Sequence, residues 1–321
     1  MDDKYYNELL IKAATYGSPE EIPAKVGILP AVFMKYGDAV HRLIEKYPGL
    51  YCGINKDYNP AIHSPSSYHT GQFTDAWGCV WSNLKEGMES MVTGHPLPTR
   101  ESVHTMKLPE GDAGLPHGYM YLRLLDLRGF EEMMIDFAEE PPELQMLIDK
   151  VLAYNITQVE KNIQHSGRMM VFGDDQGMQT GLAIGADKWR KYMKPCFTAL
   201  YKPCVDAGKL VYMHTDGCIW EIMPDLVECG VTMINPQFRA NGLDNLVRVC
   251  KGKIPINLDL DRQLFPFVSH NELRNHVHEC VKAMYLPEGG LGLSLEIDHE
   301  VPLASMDVLF EALNEARKYN G

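Results

Sequence analysis

The sequence predicts an α/β protein: a (β/α)8 TIM barrel with an N-terminal helical and loop-rich extension. Three observations carry that expectation. Strand-like and helix-like segments alternate about six times after His117, which implies a parallel sheet with helical crossovers. Polar residues recur at the carboxyl end of nearly every strand segment: Asp174 and Asp175, His214 and Asp216, Asn235 and Gln237, Asp259 and Asp261, Glu296 and His299. Barrel enzymes collect their active groups at that rim, which favours a closed barrel over an open sheet. The third is length, since 321 residues suffice for one large α/β domain. The reading is a single barrel domain over 1–321, with 1–115 as extension and loops and 116–321 as the main barrel units.

Taken in order, residues 4–16 and 37–47 have helical apolar spacing and flank the Pro-containing stretch EIPAKVGILPAVF. From Pro48 to about Pro116 the chain is rich in Gly, Pro, Ser and aromatic residues. Trp77 in this stretch is either ordinary packing or one wall of a pocket for a planar ligand. YMYLRLL (119–125) reads as a strand, and the helices after it divide at Pro141-Pro142, where fixed φ and a missing N–H interrupt the pattern. Four strand-like segments then each precede a helix: MMVFGDDQG, LVYMHTDG, TMINPQ and PINLDLD. GGLGLSLEIDHE and a terminal helix close the chain.

Composition narrows the function. With 30 basic against 43 acidic residues and a formal charge of −13, there is no basic footprint for nucleic acid or anionic membrane. No apolar run approaches the roughly 20 residues that span a bilayer, and the acidic start MDDKYYNELL is unlike a signal peptide, so a cytoplasmic location is expected. The eight cysteines form no CxxC pair. No phosphate-binding glycine loop is present.

His214 and Asp216 stand two apart at a strand end, so both side chains leave one face of an extended backbone. With Glu296 they would make a three-ligand divalent-metal site, zinc for example, with a position open for substrate. The alternative is that His214 satisfies a backbone carbonyl and Asp216 caps the next helix. Cys218 is a fourth ligand candidate, more consistent with a buried thiol. Of Asp174 and Asp175, adjacent and therefore facing opposite ways, one can look inward as a proton carrier or substrate-orienting group. The other reading for the pair is a cap on the helix near residue 185. Asn235 and Gln237 suit hydrogen bonding to a substrate oxygen, and Asp259 belongs to the same rim.

The blocks FTDAWGCVW, FGDDQGMQTGL, WRKYMKPCFTALYKPCVDAGKLVYMHTDG, IMPDLVECGVTMINPQ and GGLGLSLEI resemble the uroporphyrinogen decarboxylase superfamily, and within it the branch of corrinoid-dependent methyltransferases. The resemblance runs from about residue 70 onward. It implies a (β/α)8 barrel with an N-terminal extension, and a methyl group exchanged with a corrinoid carried by a separate protein. Two departures matter. The first arginine is Arg42, so the arginine-rich N-terminal motif of the porphyrinogen decarboxylases is missing. Thiol-methylating relatives read His-x-Cys-Gly where this chain has His214, Thr215, Asp216 and Gly217.

Carboxylates in place of thiolates leave a harder Lewis acid, suited to oxygen. The expected enzyme is therefore the methyltransferase component of an O-demethylase, acting on a small methoxylated substrate, an aryl methyl ether by preference: catalytic Asp174, Asp175 and His214; metal ligands His214, Asp216 and Glu296; substrate contacts Trp77, Asn235, Gln237 and Asp259. The alternatives are a corrinoid-to-thiol methyltransferase and a metal-independent decarboxylase of the same superfamily.

Overall fold

The computed structural model describes residues 3–55 and 57–321. Its strands are β1 Ala24–Ile28, β2 Gly71–Thr74, β3 Val80–Asn83, β4 Met91–Gly94, β5 Met169–Gly173, β6 Leu210–Thr215, β7 Met233–Pro236, β8 Ile256–Asp259 and β9 Leu291–Ile297. The chain forms two compact units, one of residues 1–70, 83–90 and 236–321, the other of residues 71–82 and 91–235.

In the first unit β9 lies between β1 and β8, parallel to both. Its registers set Ala24 beside Leu293 and Asp259 beside Ser294. The Pro-containing stretch between the helices Asp3–Ala14 and Asp38–Lys46 thus holds a sheet strand, Ala24–Ile28, followed by a short helix, Pro30–Tyr36. Its own composition did not mark the strand, because pairing with a segment more than 260 residues away supplies the hydrogen bonds. Strand β9 has near-continuous burial, as expected where both faces of a parallel sheet are covered. The helix His270–Met284 opens on a complete capping box, Ser269 with Glu272, and packs against Leu303–Ala316.

In the second unit β5, β6 and β7 are neighbours in that order, and β2, β3 and β4 make a small three-stranded sheet in which β3 and β4 are antiparallel. β5 pairs with β6 in parallel from Met169 beside Leu210 to Gly173 beside His214. Helix Pro142–His165 begins at Pro142, as the proline pair requires. The core holds fully buried Trp189, Tyr119, Tyr201, Phe137 and Phe197. Tyr119 and Tyr201 join hydroxyls at 2.6 Å inside it.

Two local expectations change. YMYLRLL is not a strand: Tyr121–Arg128 is a helix that buries Tyr121, Leu124, Leu127 and Arg128 at helical spacing. Its first amides are bound by the carboxylate of Asp174, a partner more than 50 residues away that no local pattern reveals. The helix expected after MMVFGDDQG divides into Gly185–Lys188, a π-helical turn Trp189–Met193 and Lys194–Asp206. Pro195 has no N–H to close a normal turn onto residue 191, so the backbone widens there.

Candidate metal centre

β5 and β6 end side by side, and the chain beyond each is knitted to the other. Asp174 N–H donates to the His214 carbonyl at 3.1 Å, Gly177 N–H to the Asp216 carbonyl at 3.1 Å, and Cys218 N–H to the Met178 carbonyl at 2.8 Å. This ladder needs glycine at two places. A Cβ on Gly217, whose φ is +86°, would lie 2.2 Å from the Gly177 carbonyl carbon, and one on Gly177 would lie 2.5 Å from the Cys218 nitrogen. The two loops therefore travel together past the sheet edge and hold Asp175 close to His214 and Asp216.

The adjacent aspartates divide the work. Asp174, fully buried, accepts from the amides of Met120 at 3.2 Å, Tyr121 at 2.6 Å and Leu122 at 3.0 Å. Burial pushes its pKa up to about 7, against the pull of the Leu122 and Tyr121 amides. The helix it caps is Tyr121–Arg128 rather than the one near residue 185. Asp175 turns the other way. Its Oδ2 lies 3.1 Å from His117 Nε2, and its Oδ1 accepts the Asp216 N–H at 2.9 Å and stands 3.9 Å from His214 Nε2.

His117, Asp175 and His214 each offer a ligand atom, all within 4.8 Å of one another. This is the metal-competent His/Cys/Asp/Glu cluster among the described residues. His214 Nε2 is also 3.3 Å from Asp216 Oδ1, and Nδ1 is 2.9 Å from Asn235 Oδ1. Burial works against a charge on His214. The hydrogen bond and charge of Asp216, with Asp175 and Asn235, outweigh it and hold the imidazole at a pKa of about 9. The hydrogen bond to Asp175 likewise raises His117, against its burial. Two imidazoles beside carboxylates are competent to hold a divalent ion, which would compete there with protons.

His117 was not among the sequence candidates. It lies in the PHG loop before Tyr119, off the ends of the strands, and its ring fits because residue 173 has no side chain: a Cβ there would sit 2.5 Å from His117 Nδ1. The Gly118 N–H, donating to the Gly173 carbonyl at 2.8 Å, fixes the loop. The signals that could have found it are glycine at the last position of β5 and glycine right after the histidine.

The other sequence candidates are not members of that donor cluster. Cys218 is buried, its thiol pushed up in pKa by that burial, and it is not in the donor cluster. Trp77 is packed edge-on to Tyr154 at 4.9 Å, with the Arg123 guanidinium 5.5 Å from its ring centre, and it walls a cleft of about 620 Å³ with Pro96, Leu97, Met106 and Leu127. Trp77 is thus packed and also lines a cleft. In the first unit, Glu296 pairs with Arg262, Gln237 bridges backbone to backbone with buried Asp259, and Arg239 contacts Asp261 at 2.8 Å. His276 is buried and accepts the Asp261 N–H at 3.0 Å.

Parallel strands delivering imidazole and carboxylate to their carboxyl ends define an α/β protein with a metal-competent site. The chain matches the model of the uroporphyrinogen decarboxylase (URO-D) family over residues 123–316, more than half its length, and belongs to that family. Among solved structures it is similar to a methyltransferase from Methanosarcina mazei, with 15% identity, 97% of this chain and 98% of that chain covered, and a TM-score of 0.62. At that identity the likeness is one of fold. A dihydropteroate synthase from Xanthomonas albilineans, with 4-aminobenzoic acid, aligns over 47% of this chain and 54% of that chain with 14% identity and a TM-score of 0.31. No curated protein matches the chain.

Proposed function

We propose that this protein is a metal-dependent methyltransferase that moves a methyl group from an O-methyl substrate, an aryl methyl ether by preference, to the reduced cobalt of a corrinoid carried by a separate protein. The single observation behind this reading is the sulfur-free donor set of His117, Asp175 and His214 with Asp216 beside it. Membership of the URO-D family supports it, as does the shared fold with a methyltransferase.

The donor set suits zinc, held by His117, Asp175 and His214, with Asp216 as a further oxygen donor. Bound there, zinc supplies Lewis-acid polarisation of the ether oxygen. In the transfer the methyl carbon–oxygen bond breaks with its electron pair left on oxygen, and the electron pair of the reduced cobalt takes up the methyl group. An aryl ether is preferred because a phenolate departs more readily than an alkoxide. Asp174 acts in this reading as a positioning residue, since its side chain is spent on three amides. Asp175 touches both histidines and sets their spacing. Trp77 is assigned the wall against which an aromatic ring lies. Glu296 stays with Arg262 and outside the proposed ligand set.

The test is to load the protein with zinc, supply a reduced corrinoid protein and a panel of methoxylated aromatics, and follow the cobalt spectrum. Methylation that disappears in His117→Ala and His214→Ala supports the proposal. X-ray absorption on the zinc-loaded protein decides against the thiol-methylating alternative if it shows only nitrogen and oxygen neighbours, and in favour of it if a Zn–S distance near about 2.3 Å is found. Turnover of a carboxylic acid after exhaustive chelation would replace the proposal with the decarboxylase reading.

A further inference from the structure

A histidine gives a metal one of its two ring nitrogens, and the partner of the other decides which. In His214, Nε2 faces the site, 3.3 Å from Asp216 Oδ1 and 3.9 Å from Asp175 Oδ1, while Nδ1 faces away from it, 2.9 Å from Asn235 Oδ1. A carboxamide oxygen can only accept, so this contact is a hydrogen bond only when Nδ1 carries the proton. Asn235 lies on β7, the strand beside β6, and is buried to 7% exposure, where its side chain has little freedom to swing away. Both residues belong to the second unit. The opposite amide orientation, with the NH2 group toward Nδ1, would leave the ring proton on Nε2 and close that nitrogen to any cation.

We propose that Asn235 is a positioning residue for a divalent-cation site: by accepting the Nδ1–H of His214, it keeps the proton on the far side of the ring and directs the Nε2 lone pair toward a cation shared with His117 and Asp175. The inference rests on the metal reading given above and adds a role for a residue that the sequence had suggested as a substrate contact. Metal-bound histidines commonly depend on such an outer partner, and losing it typically costs about 10–100-fold in metal affinity.

Two substitutions separate this role from simple packing. Asn235→Leu keeps the volume and removes the acceptor; Asn235→Asp keeps an acceptor oxygen in place. Zinc affinity is measured by competition with a chromophoric chelator, alongside a 1H–15N correlation spectrum of the His214 ring in zinc-loaded protein and circular dichroism as a check of folding. The expected result is a wild-type ring bearing its single N–H on Nδ1, a loss of about 10–100-fold in zinc affinity for Asn235→Leu, and wild-type or tighter binding for Asn235→Asp.

Unchanged zinc affinity in folded Asn235→Leu, or a ring proton on Nε2 in the zinc-loaded wild type, overturns the role of Asn235 while leaving the metal reading standing. A wild-type protein that takes up neither zinc nor cobalt(II) overturns both. If Asn235→Leu does not fold, the wild-type ring spectrum and the Asn235→Asp affinity still decide the matter.

Discussion

Among single residues, Asp174 and Asp175 are neighbours that differ in everything but chemistry. Three amide donors and complete burial occupy Asp174, whereas Asp175 is open enough to meet two imidazoles. Replacing Asp174 by alanine strands the amides of Met120, Tyr121 and Leu122 inside the protein, at a cost of about 2–4 kcal/mol. It also loosens the loop that carries His117. Urea unfolding of Asp174→Ala should show that loss together with weaker zinc binding. A loss under about 0.5 kcal/mol, the size of a neutral surface change, would rule out the capping role. That these two adjacent carboxylates face opposite ways was legible in the sequence. Which one faces the site, and what the other holds, was not legible, because the partner amides belong to a segment that itself reads as a strand. His117 escaped because its ring partner lies 58 residues later, and the glycine beside it marks a turn without naming that partner.

At the scale of elements, the strands β5 to β9 and the helices divided at Pro141-Pro142 follow from the alternation of apolar runs and turn residues, and they were legible. The failures are elements stabilised from a distance. β1 has a five-residue register with β9, the helix Tyr121–Arg128 is started by Asp174, and the π-helical turn at Trp189–Met193 arises where a proline meets a long helix. Trp189 ties that turn to the site loop through Gln176 at 2.9 Å. The paired loops after β5 and β6 lead to a specific expectation. Gly217→Val must push the Gly177 carbonyl aside and strain a positive φ, so the loops should separate. Zinc affinity should fall by more than about 10-fold, as for other disturbances of a ligand's support, while the far-ultraviolet circular dichroism stays close to wild type. Binding equal to wild type would mean that the loop ladder does not position the site.

For the whole molecule, the formal charge of −13 offers no basic footprint, and among the described residues no helix is long and apolar enough to cross a membrane. The block resemblance agrees with the family match over 123–316. Stability of the whole chain should depend on metal and pH together. A ligand present at about 100 times its Kd adds about 2.7 kcal/mol to the folded state. His214 has a folded pKa of about 9 against an ordinary 6.5, so the stability its proton contributes to metal-free protein is complete below pH 6.5 and is lost as pH rises through 9. The same proton competes with zinc, whose affinity rises over that range. The gap in Tm between zinc-loaded and metal-free protein should therefore widen from pH 6 to pH 9, as scanning calorimetry would show. A gap that narrows with pH would mean that His214 does not exchange its proton for the ion.

The donor cluster of His117, Asp175 and His214 contains no thiol, and Cys218 stands outside it. Oxygen, peroxide and alkylating reagents attack sulfur first. An ion held by imidazole and carboxylate would thus survive air and iodoacetamide with its occupancy intact, even where the eight cysteines of the chain do not. Under the proposed function, any sensitivity of the reaction to oxygen would then come from the corrinoid side of the encounter.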